Sequence, residues 1–82
     1  MIMEREEIIS RIQDIARDIF EDDTLIINDT TTANDVEAWD SLTHLSLMNE
    51  LEVEFKVEFT LDEISKSKCI GELVDAVLKH IA

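Results

Sequence analysis

Proline and tyrosine are absent from this 82-residue sequence, and glycine occurs once, at Gly71. So few turn formers exclude a turn-rich β fold and favour helices joined by polar loops. The expected fold class is all-α. Basic residues are also scarce: 7 Lys and Arg stand against 20 Asp and Glu, for a net charge of −13. Such a chain repels nucleic acid phosphates and acidic lipid surfaces, and a partner steered to it by electrostatics would present a basic face. The single cysteine, Cys69, cannot form an internal disulfide. With two distant histidines it offers no metal-ligand spacing. No apolar run approaches transmembrane length, and the opening MIMEREEIISRIQDIARDIF carries acids where a signal peptide needs a basic region. A cytoplasmic, monomeric chain without membrane insertion is expected.

What is present is helical periodicity within one domain, residues 1–82. Ile8, Ile12, Ile15 and Ile19, with Ala16 and Phe20 beside them, make one apolar stripe and predict a helix from about residue 4 to 20. Glu4, Glu6 and Glu7 favour the positive end of its dipole. The stretch EDDTLIINDTTTANDVEAWD has no sustained period and reads as a long connection, pinned to the core by Leu25, Ile27, Val36 and Trp39. Asp40 is a preferred N-cap, and Leu42, Leu45, Met48, Leu51 and Phe55 predict the apolar face of a second helix over residues 41–55. Trp39 precedes the cap, placed to staple onto His44 or Leu45. Thr60 and Glu63 stand in a capping-box arrangement, so a short third helix starts near Leu61 and fades by Lys66. Ile70, Leu73, Val74, Val77, Leu78 and Ile81 predict a fourth helix over residues 68–81. The expected architecture is a small four-helix bundle, three helices long and the third short, with a long loop between the first and second.

Ser41 raises the chemical question. As a catalytic nucleophile it needs a base and a group orienting that base. His44 and Asp40 allow a Ser-His-Asp set on paper. However, Asp40 is better used as a cap, no Gly-x-Ser-x-Gly elbow is present, and a small bundle has little room for a substrate pocket. Ser41 also reads simply as a small polar residue in a first helical turn. Alternatively it is an attachment point for a phosphate ester, favoured by the free N–H groups and dipole there. The segment DTTTANDVEAWD, residues 29–40, spaces oxygens somewhat like a calcium loop. It has Asn34 where the turn needs Gly, Ala33 at a ligand position and Asp40 for the closing Glu, so no metal site is assigned. Glu50, Glu52, Glu54 and Glu58 form either a solvated face or a docking face for basic partners. Cys69 reads as a small buried hydrophobe, and His80 as a last-turn group suited to the helix dipole.

Asp40-Ser41-Leu42 opens an apolar and acidic second helix, after a long loop and before a short third helix. With the stretch Leu47 to Phe55 and the closing CIGELVDAVLKHI, it resembles the acyl carrier proteins and related phosphopantetheine-binding carriers. The resemblance covers nearly the whole chain. It implies that Ser41 receives a covalent 4′-phosphopantetheine arm from coenzyme A, through a separate magnesium-dependent phosphopantetheinyl transferase. The arm's thiol, not Cys69, would carry acyl groups as thioesters. Asp40 would cap the helix and favour transferase recognition, Leu42 would pack beside the arm, and Glu50, Glu52, Glu54 and Glu58 would dock acyl-activating and acyl-transferring enzymes. Leu45, Met48, Ile64 and Leu73 are candidates to line a cargo pocket and read equally as core. Carriers of this kind have no catalytic activity of their own.

Carriers of primary fatty acid synthesis commonly have Leu-Gly-Ala before Asp-Ser-Leu and acids soon after. Here Glu37-Ala38-Trp39 precedes, and Thr43, His44 and Ser46 follow; Lys66 and Lys68 dilute the acid further on. The pattern looks more like a free-standing carrier of a specialised pathway. The alternatives are an aminoacyl or peptidyl carrier with the same arm, an unmodified acidic interaction module, and a small Ser-His hydrolase.

Overall fold

The computed structural model describes residues 3–81. Four helices follow in order: α1 (Arg5–Ile19), α2 (Ser41–Phe55), α3 (Leu61–Lys66) and α4 (Ile70–Ile81). α1 packs against both α2 and α4. The shared core holds Ile8, Ile12, Leu47, Leu51, Ile70, Leu73, Val74 and Val77, all fully buried. Each such side chain contributes about 1.5–3 kcal/mol on leaving water. The short α3 has no buried residue and so depends on polar ties.

The stripe expected on α2 is partly displaced. Leu42 and Leu45 are 76% and 56% exposed, whereas Leu47 is fully buried beside Met48, Leu51 and Phe55. Leucines and other apolar residues lie all round this helix, so periodicity alone could not choose the inward face. α4 also starts later than expected, at Ile70. Lys68 N–H donates to the Glu72 carboxylate, and Cys69 lies in an isolated antiparallel bridge with Thr32. Cys69 is thus half-buried backbone lacing, not part of the helix.

The long connection is built on its own side chains. Asp22 accepts from the amide and hydroxyl of Thr24, Asn28 does the same for Thr30, and Asp35 accepts from both groups of Thr32. These local bonds satisfy a backbone that runs in neither helix nor sheet. They also engage several of the oxygens that gave residues 29–40 their calcium-loop look. Ile27, Val36 and Trp39 anchor the segment in the core, as their apolar character predicted, and Leu25 is half-buried. Ile70 N–H to Thr31 O, at 2.9 Å, and Gly71 N–H to Asp29 O, also 2.9 Å, then stitch the connection to the start of α4.

Candidate functional site

Asp40 ends the connection in extended conformation and caps α2. Its carboxylate accepts from Leu42 N–H at 3.0 Å and Thr43 N–H at 2.9 Å. Asp40 N–H donates in return to Thr43 Oγ1 at 2.8 Å, so the cap is reciprocal, with Thr43 in the part usually played by Glu. The Thr43 amide and hydroxyl, with the Leu42 amide, hold the Asp40 carboxyl below its usual range. Two first-turn amides are thereby taken, and less bare N–H remains for an anion than the sequence suggested. Ser41, the next residue, is the exposed first residue of the helix.

His44 faces elsewhere. The Trp39 indole N–H donates to His44 Nδ1 at 3.0 Å, and the rings stack with centroids 6.0 Å apart. Because an indole nitrogen only donates, Nδ1 is the bare nitrogen and Nε2–H donates to the Ile64 carbonyl at 2.8 Å. The staple predicted for Trp39 therefore forms on His44. Both ring nitrogens are engaged away from Ser41 and the Asp40 carboxylate is held by amides, so the Ser-His-Asp set is not assembled.

A crevice of about 430 Å³ opens at Ser41. Thr32, Ala33 and Asn34 of the connection, Trp39, Asp40, Ser41 and His44 around the start of α2, and Ser65, Ser67 and Lys68 border it. None of Leu45, Met48, Ile64 or Leu73 does. Met48 and Leu73 are closed in the core, Ile64 is half-buried and Leu45 is exposed.

The four acids are not equivalent. Glu52 accepts from Phe59 N–H at 2.8 Å and so closes the turn between α2 and α3. Glu54 pairs with Arg11 of α1 at 3.2 Å. Glu50 and Glu58 are exposed. The outward crest of α2 is neutral: Leu42, Ser46, Asn49 and Val53 project near one direction at helical spacing, with Leu45 to one side. Val53 is 69% exposed. Sequence reasoning did not find this crest, because it assigned Leu42 and the neighbouring Leu45 to the core.

Known proteins match this chain over most of its length, in sequence and in fold. The family model for the phosphopantetheine attachment site matches residues 10–77. An acyl carrier protein of Lactobacillus acidophilus is 37% identical over 79 residues, spanning 95% of this chain and 98% of that protein. One from Rubrobacter xylanophilus is likewise 37% identical, over 95% of this chain and 96% of its own. Among solved structures, the solution structure of a holo acyl carrier protein from Geobacter metallireducens superposes with a TM-score of 0.82 at 41% identity, over 89% of this chain and 84% of that one. The crystal structure of an acyl carrier protein from Thermotoga maritima gives 0.85 at 28% identity, over 96% and 92%. The chain belongs to the acyl carrier protein family, whose prosthetic group is 4′-phosphopantetheine.

Proposed function

We infer that Ser41 is the attachment point of the arm and that the chain serves as a carrier without catalysis of its own. The observation that carries this reading is an exposed serine hydroxyl at the first position of a firmly capped helix, beside an open crevice and with no base aimed at it. An outside enzyme must then remove the serine proton, as a separate transferase would. The residues present fit the group: Ser41 offers the oxygen, Asp40 and Thr43 fix the turn that presents it, and exposed Leu42 stands next to it for apolar contact. When bound, the arm supplies a terminal thiol on which an acyl group travels as a thioester. Tethering raises the local concentration of that group to the order of millimolar at each partner's active site.

The partners would be the transferase and acyl-activating and acyl-transferring enzymes whose surfaces are basic where they meet Glu50 and Glu58. The neutral crest and the non-acidic Thr43, His44 and Ser46 support a specialised pathway over primary fatty acid synthesis. The test is the intact mass before and after incubation with a broad-specificity phosphopantetheinyl transferase, magnesium and coenzyme A. One added arm on the wild type and none on Ser41→Ala is expected. No addition to well-folded protein, with a control carrier modified in parallel, would sink the reading.

A further inference from the structure

We propose that the crevice beside Ser41 is a seat for the arm itself, with Lys68 and Asn34 as its polar contacts, so that the arm lies along the surface at residues 32–34 and 65–68. This rests on attachment at Ser41. A phosphodiester on that oxygen brings negative charge next to the Asp40 carboxylate, which its cap bonds hold ionised. Of the side chains bordering the crevice, Lys68 alone is a fixed cation. Lys68 forms no ion pair among the described residues, unlike Lys66, which pairs with Asp62, and Lys79, which pairs with Glu63. An ammonium without a partner, bordering the same crevice in a chain of net charge −13, is the counter-charge such an ester needs.

The rest of the lining matches an amide-rich chain better than an alkyl one. The Asn34 side chain is engaged by no other described residue, while its own N–H donates to Thr32 Oγ1 at 3.2 Å. It can therefore both donate to and accept from the two amide groups of the pantetheine segment. Ser67 Oγ donates to Glu63 O and Thr32 Oγ1 is bonded to Asp35, and each hydroxyl oxygen can still accept. Trp39 and His44, stacked on each other, give the arm's dimethyl group an apolar contact. The volume, about 430 Å³, is of the size that holds small-molecule groups. Met48 and Leu73, by contrast, are closed from solvent in the helical core.

The experiment compares apo and holo forms of the full chain by ¹⁵N–¹H correlation spectra and by nuclear Overhauser contacts to the arm, after intact mass has shown the modification. Expected are shifts at the Trp39 indole N–H, at the amides of residues 32–34 and 65–68 and at the Asn34 side-chain amide. Contacts from the dimethyl group to Ala33 and Trp39 are also expected. In Lys68→Glu and Asn34→Ala, whose apo spectra should otherwise match the wild type because both side chains are exposed, these contacts should be lost although the arm is added. A holo protein whose shifts are confined to Ser41 and its sequence neighbours, with no contact to the crevice, overturns the seat and leaves the carrier reading intact. Contacts to Leu45 and Leu73 in its place would overturn it in favour of the helical interior. A mass that does not change removes the reading of Ser41 on which the seat depends.

Discussion

Gly71 sits where the first turn of α4 meets the α1–α2 connection, and a methyl group there would stand 2.9 Å from Asp29 O and 3.3 Å from its Oδ1. The nearer contact is backbone, held by Gly71 N–H itself, so nothing flexible can give way. Gly71→Ala should cost about 1–3 kcal/mol, the range of overpacked sites, measured by urea unfolding. An unchanged midpoint would show the two segments to be separable. Asp40→Ala should cost about 1 kcal/mol through its lost cap and quicken exchange at the Leu42 and Thr43 amides. Glu63 adds a pH signature. The Thr60 amide, then the bond to His80, hold its carboxyl at about 2, against an ordinary 4.5. A depressed carboxyl stabilises the fold above its unfolded value and loses that stabilisation as pH falls toward its folded one. Paired unfolding curves of wild type and Glu63→Gln should therefore differ fully above about pH 4.5 and converge toward pH 2. A difference independent of pH would assign the effect to packing.

At the scale of elements, α3 is the piece whose attachment is chemical more than hydrophobic. His44 holds the Ile64 carbonyl, Glu52 holds Phe59 N–H just before α3, and Glu63 meets His80 and Lys79 of α4. Both histidines of the chain thus hold one short helix. Removing one hydrogen bond costs about 0.5–1.5 kcal/mol, and local opening is governed by such sums. His44→Ala should speed amide exchange in α3 by roughly tenfold, while α1 and α4 change far less. Uniform acceleration in all helices would mean that α3 does not open separately. The helix positions were legible because long apolar stripes and the Asp40 and Thr60 caps mark them. The inward face of α2 was not, because Leu42, Leu45, Leu47 and Val53 leave no polar side to read. The C-terminal ends of the helices fell within a residue of the expected places, but the way α1 and α2 close was not legible: Glu21 and Lys56 take the left-handed conformation usually given to glycine, through Asp22 N–H to Arg17 O and Val57 N–H to Glu52 O. In the site, Asp40 and Ser41 stood out by sequence alone. The crevice did not, since Thr32 to Asn34 and Ser65 to Lys68 meet only through the Thr32–Cys69 bridge and the bonds beside it.

For the whole molecule, the surplus of acid sets how salt acts, and it acts on folding and on docking with opposite signs. Arg5 is held by Asp29 and Asp75, and Arg11 by Glu7 and Glu54, yet these pairs are largely exposed. Exposed pairs are worth about 0–1 kcal/mol each. The net charge of −13 remains as repulsion across the small fold. Salt screens that repulsion over about 10 Å at 0.1 M, so the melting temperature should rise with sodium chloride. A fall would show that the ion pairs outweigh the surplus. Association with a basic partner enzyme should weaken over the same range, since its attraction is screened too. The neutral crest of Leu42, Asn49 and Val53 limits that loss, because apolar contact is not screened. Binding measured across a salt titration should thus fall and then level off. Val53→Glu should lower the level-off affinity and steepen the salt dependence together. A change in neither would place the docking surface away from the outer face of α2.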